Sequence, residues 1–289
     1  MSTLAPEASA RIAHLFVYPV KSCAGVELRE ALLTETGFDL DRAWMVVDAD
    51  GEFVSQRELP RMALIKPTLK LHEVILRAPG MLALHLAVDT VEEPMQVRVW
   101  SDAVPAFDMG ATAAQWFSDF LGKPGLRLVR FDPEHDRESN HEWTGDDTAL
   151  NQFQDGYPLL VASTASLALL NDKLRAAGQE PVGIERFRPN IVLEGIEAHD
   201  EDRLAHIDVA TGEGPVRLRP VKPCPRCPIP DIDPATALSN PAVTDALQGY
   251  RRNDSVGGAV TFGMNAIVME GFDRTLRVGQ PVTGDWKFD

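Results

Sequence analysis

Cysteine is scarce in this sequence: three residues in 289, namely Cys23, Cys224 and Cys227. An odd and low number carries no disulfide framework, and it points to a reducing, cytoplasmic setting. Positive charge is short as well. Lys and Arg number 28 against 43 Asp and Glu, a formal charge of −15. Such a chain is a poor partner for nucleic acid, whose backbone is gripped by clustered cations. Any anion bound here needs a local group of basic residues rather than the global field. Long apolar runs are missing too. The longest, around residues 157–170, is broken by Pro158, Ser163, Thr164 and Ser166, short of the roughly 20 apolar residues that cross a bilayer. No membrane span is expected, and Glu7 with no apolar segment around it argues against a secretory leader. No GxGxxG opens a helix, and no GxxxxGK[ST], GxSxG or HExxH occurs. Dinucleotide, P-loop, serine-hydrolase and zincin chemistry therefore lack their signatures.

What is present reads mostly as β. Short β-branched and aromatic runs at residues 14–20, 43–48 and 96–100 are separated by turn residues, among them Asp50-Gly51, a hairpin signal. Trp116, Phe117, Phe120 and Leu121 recur at helical spacing, and Gly122 stands where a helix stops. A strand is expected over 126–131. Residues 132–156 are polar, with seven Asp and Glu between 132 and 147. They form a loop, either a functional lid or simply mobile. A second helix follows, capped by Ser163 or Thr164, with Leu167, Leu169, Leu170 and Leu174 on its apolar side. Further strands are expected at 190–194, 205–209, 215–219, 259–262 and 265–269. Many short strands with few helices describe β-barrels, and 289 residues accommodate two modest domains. The boundary is placed near residues 122–126, dividing the chain into 1–124 and 125–289.

The most distinctive local feature is Lys222-Pro-Cys-Pro-Arg-Cys-Pro-Ile-Pro230. Structural zinc wants four ligands, and an iron–sulfur cluster four Cys or two Cys with two His. A c-type haem motif needs His after the second Cys, where Pro228 stands. A redox CxxC wants its first Cys at a helix N-terminus, an unnatural place for so many prolines. A fifth reading makes one Cys the thiolate ligand of a metal held mainly by its cofactor. A second constellation is Tyr18-Pro-Val-Lys-Ser-Cys23 with Arg42 and Arg57 downstream. A Lys, a hydroxyl and exposed N–H groups make an anion site, to which Arg adds bidentate recognition of phosphate. The bland alternative for Lys21, and for the arginines of Arg186-Phe-Arg-Pro-Asn190, is a solvated side chain beside a turn.

Six pieces in order carry a resemblance: Tyr18–Ser22, Asp41–Trp44, Phe187–Val192, Pro223–Cys227, Asp233-Pro234 and Val278–Val282. The chain resembles the MOSC superfamily, named for the C-terminal domain of molybdenum cofactor sulfurase. Within it the chain is similar to the mitochondrial amidoxime-reducing component and its bacterial relatives. The resemblance implies an N-terminal MOSC-type β-barrel followed by a MOSC barrel with a few helices. It implies a molybdenum cofactor, with Cys227 as the ligand to Mo. The phosphate grip falls on Lys21, Ser22 and Arg42, with Arg57 beside it, and further pterin contacts on Ser163, Arg188 and Asn190. Thr164 takes the place of Ser163 if the match shifts by one residue.

The activity implied is two-electron reduction of N-hydroxylated compounds (amidoximes, hydroxylamines, N-hydroxylated bases) by abstraction of oxygen at Mo. Asp233 is then a candidate to deliver a proton, or a carboxylate that fixes its loop. No cysteine follows Cys227, so no iron–sulfur cluster is expected in this chain. Electrons would come from a separate protein: a ferredoxin, a flavoprotein reductase or a cytochrome b5-type carrier. Two other classes stay in view, a carrier of the cofactor or of sulfur without turnover, and a cofactor-free thiol oxidoreductase using Cys224 and Cys227. The chain departs from close relatives in the Pro-Ile-Pro after Cys227 and in the acidic loop 132–156.

Overall fold

The computed structural model describes residues 8–90 and 93–287 of the chain. It is mostly strand. Seven strands close into a barrel in the order Leu159–Ser163, Ile191–Glu194, Ala8–Val17, Pro281–Gly284, Ile207–Thr211, Gly214–Pro225, Ala259–Glu270, and the last pairs back onto the first. Closure leaves no unpaired edge to template aggregation. One neighbouring pair, Leu159–Ser163 with Ile191–Glu194, is parallel. A parallel pair needs a crossover connection, and the helix Thr164–Ala176 lies in it.

Strand periodicity divides the barrel residues between two cores. Leu15 and Val17 face the barrel interior with Val161, Ile191, Leu193, Val216, Leu218 and Val268. Phe16 and Tyr18, their sequence neighbours, face outward with Ala162, Val192 and Phe262, under the helices Thr164–Ala176 and Ala242–Gln248. This is the two-residue alternation of a pleated strand with both faces covered.

The expected strands at 259–262 and 265–269 are one strand, bent at Gly263. There φ is +76°, and an added Cβ would meet the Val161 carbonyl at 2.7 Å. Only glycine admits that backbone and that approach, so the punctuation in the sequence is a bend rather than an end.

A second β unit packs beside the barrel. Its antiparallel sheet runs Trp44–Val47, Arg127–Phe131, Asp102–Asp108, Pro94–Val99. The helix Gly110–Leu121 buries Trp116, Phe117 and Phe120 against Trp44, Val46 and Leu128. Gly122 ends it in the left-handed conformation at φ 69°, its N–H on Ser118 O. Several ladders cross the boundary expected near 122–126. Strand Ala8–Val17 pairs with Ile191–Glu194 and Pro281–Gly284, and Arg127–Phe131 pairs back onto Trp44–Val47.

Residues 132–156, expected as a loop, hold a short ladder of Arg137–Glu138 with Leu150–Asn151 and a helical turn His141–Thr144. Buried Arg137 fastens the segment, donating to Gln152 O, Gln154 O and Asp102. Among the described residues no helix is long and apolar enough to cross a membrane.

Candidate functional site

Two short segments zip together to make the floor of a cleft between the barrel and the second unit. Lys21 N donates to Trp44 O at 2.7 Å, Trp44 N to Pro19 O at 3.0 Å, and Arg42 N to Tyr18 O at 2.9 Å. Tyr18 N donates to Asp41 Oδ1 at 2.8 Å. These bonds carry Lys21, Ser22 and Arg42 into one wall. The turn Ile184–Phe187 places Arg188 and Asn190 beside them. The end of strand Gly214–Pro225 brings Cys224, Arg226 and Cys227 to the same opening. The cleft is open to solvent.

Ser22, Arg42 and Arg188 adopt left-handed backbone, with φ 66°, 53° and 59°. Each such non-glycine residue costs of order 1–3 kcal/mol and persists only where the surroundings over-determine it. Three of them in one cleft mark a place where local comfort has yielded to side-chain placement.

Asn190 is the joint behind the arginines. Its Oδ1 accepts from Arg42 Nη1 at 3.2 Å and from Leu160 N at 3.1 Å, while Nδ2 donates to Phe16 O at 3.2 Å. Arg42 also donates to Asp41 Oδ2 at 2.5 Å and to Arg188 O at 3.2 Å. Arg188 Nη1 donates to Cys23 O at 2.6 Å, whereas its Nη2 is buried with no partner among the described residues. Burial first, then neighbouring Arg42, pulls the Arg188 guanidinium down to about 10. It remains charged at neutral pH, with an unspent donor.

Lys21 is nearly enclosed, its side chain 8% exposed. Nζ donates to Phe153 O at 2.7 Å and to Asp155 Oδ1 at 2.5 Å. Burial lowers the Lys21 pKa, and Asp155 opposes that fall. The Asp155 side chain is 74% exposed in the cleft mouth. Whatever desolvation it suffers would raise its pKa, but Lys21, the Trp100 indole N–H and Arg42 outweigh this and hold it below the usual carboxylate range. Arg57 donates from Nε to Ser55 Oγ at 3.1 Å and lies 4.6 Å over the Trp100 ring. The Tyr157 hydroxyl is buried without a partner among the described residues. Burial pushes it up to about 12, so it keeps its proton.

Among the described residues five cations, Lys21, Arg42, Arg57, Arg188 and Arg226, line the cleft against a single carboxylate, Asp155. In a chain of net charge −15 this is the local cluster an anion needs. Both thiols of the CxxC pair are free and half-buried, and Arg226 Nη1 donates to Cys224 Sγ at 3.1 Å. Among the described residues no three His, Cys, Asp or Glu come together as a metal cage.

Of the residues singled out in the sequence, Lys21, Ser22, Arg42, Arg57, Arg188, Asn190 and Cys227 share the cleft. The structure does not bring Ser163 or Asp233 there. Ser163 is fully buried as the N-cap of helix Thr164–Ala176. Its Oγ accepts from Ser166 N at 3.1 Å and donates to Glu201 Oε2 at 2.9 Å. Thr164, its alternative, is the first residue of that helix. Asp233 accepts from Ala235 N at 2.7 Å and pairs with Arg186 at 3.4 Å, which fixes its turn. Asp155 and Tyr157 escape the sequence reading, and Tyr18 is named there only as part of a motif, with no role of its own. Asp155-Gly156 reads as one more polar turn, and nothing near it in sequence announces Lys21.

Comparison with known proteins agrees with the geometry. Residues 9–124 match the MOSC N-terminal beta barrel domain, and residues 149–283 match the MOSC domain. The chain is 31% identical over 287 residues to mitochondrial amidoxime reducing component 2 of Rattus norvegicus, across 94% of this chain and 82% of that protein. It is 33% identical over 285 residues to mitochondrial amidoxime-reducing component 1 of Homo sapiens, again across 94% and 82%. Against the molybdenum cofactor sulfurase of Bos taurus it is 30% identical over 258 residues, across 83% of this chain and 29% of that longer protein. Matched along both halves of its length and across most of its curated relatives, the chain belongs to the MOSC family that includes the mitochondrial amidoxime-reducing components.

Proposed function

We propose that this protein is a molybdenum-cofactor-dependent oxidoreductase that reduces N-hydroxylated small molecules: amidoximes, hydroxylamines and N-hydroxylated bases. The observation that carries the reading is one cleft holding five cations, an unspent buried donor on Arg188 and the free thiol of Cys227. That donor set fits a pterin dithiolene with a terminal phosphate. Lys21, Ser22, Arg42 and Arg188 would hold the anionic end, with Asn190 orienting Arg42 and Arg57 at the mouth. Cys227 would supply the protein's thiolate to Mo, a soft ligand for that centre. When bound, the cofactor supplies two-electron chemistry suited to removing oxygen from an N–O bond.

The chain's own residues bind, orient and donate. The charged walls fix the cofactor, and the Tyr157 hydroxyl offers a proton-bearing donor to a polar group in the cleft. Ser163 and Asp233 act in the architecture, capping a helix and fixing a turn. Electrons come from a separate donor protein of the ferredoxin, flavoprotein reductase or cytochrome b5 type. The three free thiols suit a reducing compartment such as the cytoplasm.

Molybdenum and pterin content per chain tests the reading first, on protein from a host that makes the cofactor. Near-stoichiometric values are expected, with reduction of an amidoxime by an artificial electron donor. Cys227→Ala should abolish that reduction and leave the fold intact; retained reduction would remove Cys227 from the role. The sulfurase match favours a second reading, a cofactor or sulfur carrier built on the same grip. Tight cofactor without turnover would select it.

A further inference from the structure

Three segments far apart in sequence meet at Tyr18. Its N–H donates to Asp41 Oδ1 at 2.8 Å, its carbonyl accepts from Arg42 N at 2.9 Å, and its hydroxyl donates to Pro189 O at 3.1 Å. The side chain is fully buried. The Arg42 and Arg188 guanidinium carbons each stand 4.3 Å from its ring centroid.

Two like charges gathered on one buried ring need compensation. Arg42 has Asp41. Arg188 has no carboxylate within ion-pair distance among the described residues; its bonded partner is the Cys23 carbonyl. The negative face of an aromatic ring is the remaining partner on hand, and desolvation strengthens such a contact. Burial keeps the hydroxyl protonated, so it stays a donor to Pro189, the residue between Arg188 and Asn190. The ring is thereby locked to the segment that carries one arginine, and its backbone to the segment that carries the other. Tyr18 itself does not line the cleft.

We propose that Tyr18 is the positioning residue of the anion cleft: its ring holds Arg42 and Arg188 together, aimed at a single phosphate group. The proposal rests on the preceding reading only in that an anion occupies this cleft.

Calorimetric titration of inorganic phosphate into the full chain, produced in a host unable to make the cofactor, tests it. Tyr18→Phe keeps the ring and should bind phosphate within about twofold of wild type, although its melting temperature falls. Tyr18→Leu removes the ring and should bind about tenfold more weakly or worse. A folded Tyr18→Leu variant that binds as wild type does overturns the proposal.

Should Tyr18→Leu fail to fold, NMR of the wild type decides. The Arg42 and Arg188 Nε–Hε signals, assigned through Arg42→Lys and Arg188→Lys, are expected to be shifted upfield by the ring. Unshifted signals overturn the proposal. Arg42→Ala separates the two levels of inference. If it loses phosphate while Tyr18→Leu retains it, the role of Tyr18 falls and the anion site stands. If Arg42→Ala binds as wild type does, the anion site falls and the proposal with it.

Discussion

Asp155→Asn removes the one negative charge in contact with the Lys21 ammonium and leaves an oxygen for the Trp100 indole N–H. A hydrogen bond to a charged group contributes about 1.5–3 kcal/mol. The figure must be reduced here because the Asp155 side chain is 74% exposed, and exposed ion pairs contribute about 0–1 kcal/mol. Lys21, by contrast, is 8% exposed and keeps Phe153 O and a neutral amide oxygen in place of the carboxylate, so much of the cost of a buried charge without a counter-ion remains. A loss of about 1.5 kcal/mol at pH 7 follows. The pH dependence has a fixed sign. The folded-state pKa of Asp155 lies below its ordinary value. Its stabilisation is therefore complete above the unfolded carboxylate range near pH 4, and is lost as pH falls through the depressed folded value. Urea unfolding of wild type, Asp155→Asn, Lys21→Met and the double variant measures the coupling at pH 7 and again below pH 3. A coupling of about 1 kcal/mol that shrinks in acid is expected. A coupling near zero at pH 7 would refute the pairing; one that persists unchanged at low pH would refute its ionic character.

Gly263→Ala forces an ordinary residue into left-handed backbone and drives its Cβ to 2.7 Å from Val161 O, where the barrel closes. About 3 kcal/mol of destabilisation is expected, read by urea unfolding. Gly257→Ala, at φ 68° with nothing within 4 Å of the added carbon, should cost only about 1 kcal/mol; equal costs would show that crowding at the closure contributes nothing. His199 has both ring nitrogens buried without partners among the described residues, and burial, then Arg251, pulls it down to about 4. A depressed histidine stabilises the fold fully above about pH 6.5 and less as pH falls toward its folded value. His199→Asn tolerates the left-handed backbone at φ 67° and does not titrate. Stability measured from pH 7 to pH 4 should fall by on the order of 2 kcal/mol less in this variant than in wild type.

What could be read from the sequence, and what could not, divides by the distance over which the determining interaction acts. The helix Gly110–Leu121 was legible because apolar spacing and the Gly122 stop are written within one segment. The split of residues 259–270 into two strands misread a local sign whose cause is distant, since the carbonyl that demands glycine belongs to Val161. The cleft repeats this division. Lys21, Ser22, Arg42 and Cys227 stand in short motifs and could be named. Asp155 meets Lys21 across 134 positions, and Arg188 meets Cys23 across 165, separations for which no periodicity exists. Ser163 is the sharpest case, because one residue type invited two readings: a serine caps helices and also binds anions. The structure shows the first, with Ser163 turned to Ser166 and Glu201, three and 38 positions away. A resemblance transfers residue types to positions; which neighbour a hydroxyl then faces is decided by burial. At Ser163 burial is complete, so its hydroxyl is spent inside the fold. At Arg188 burial leaves one donor without a partner among the described residues, and that group, rather than the motif around it, is the stronger physical argument for a ligand in the cleft.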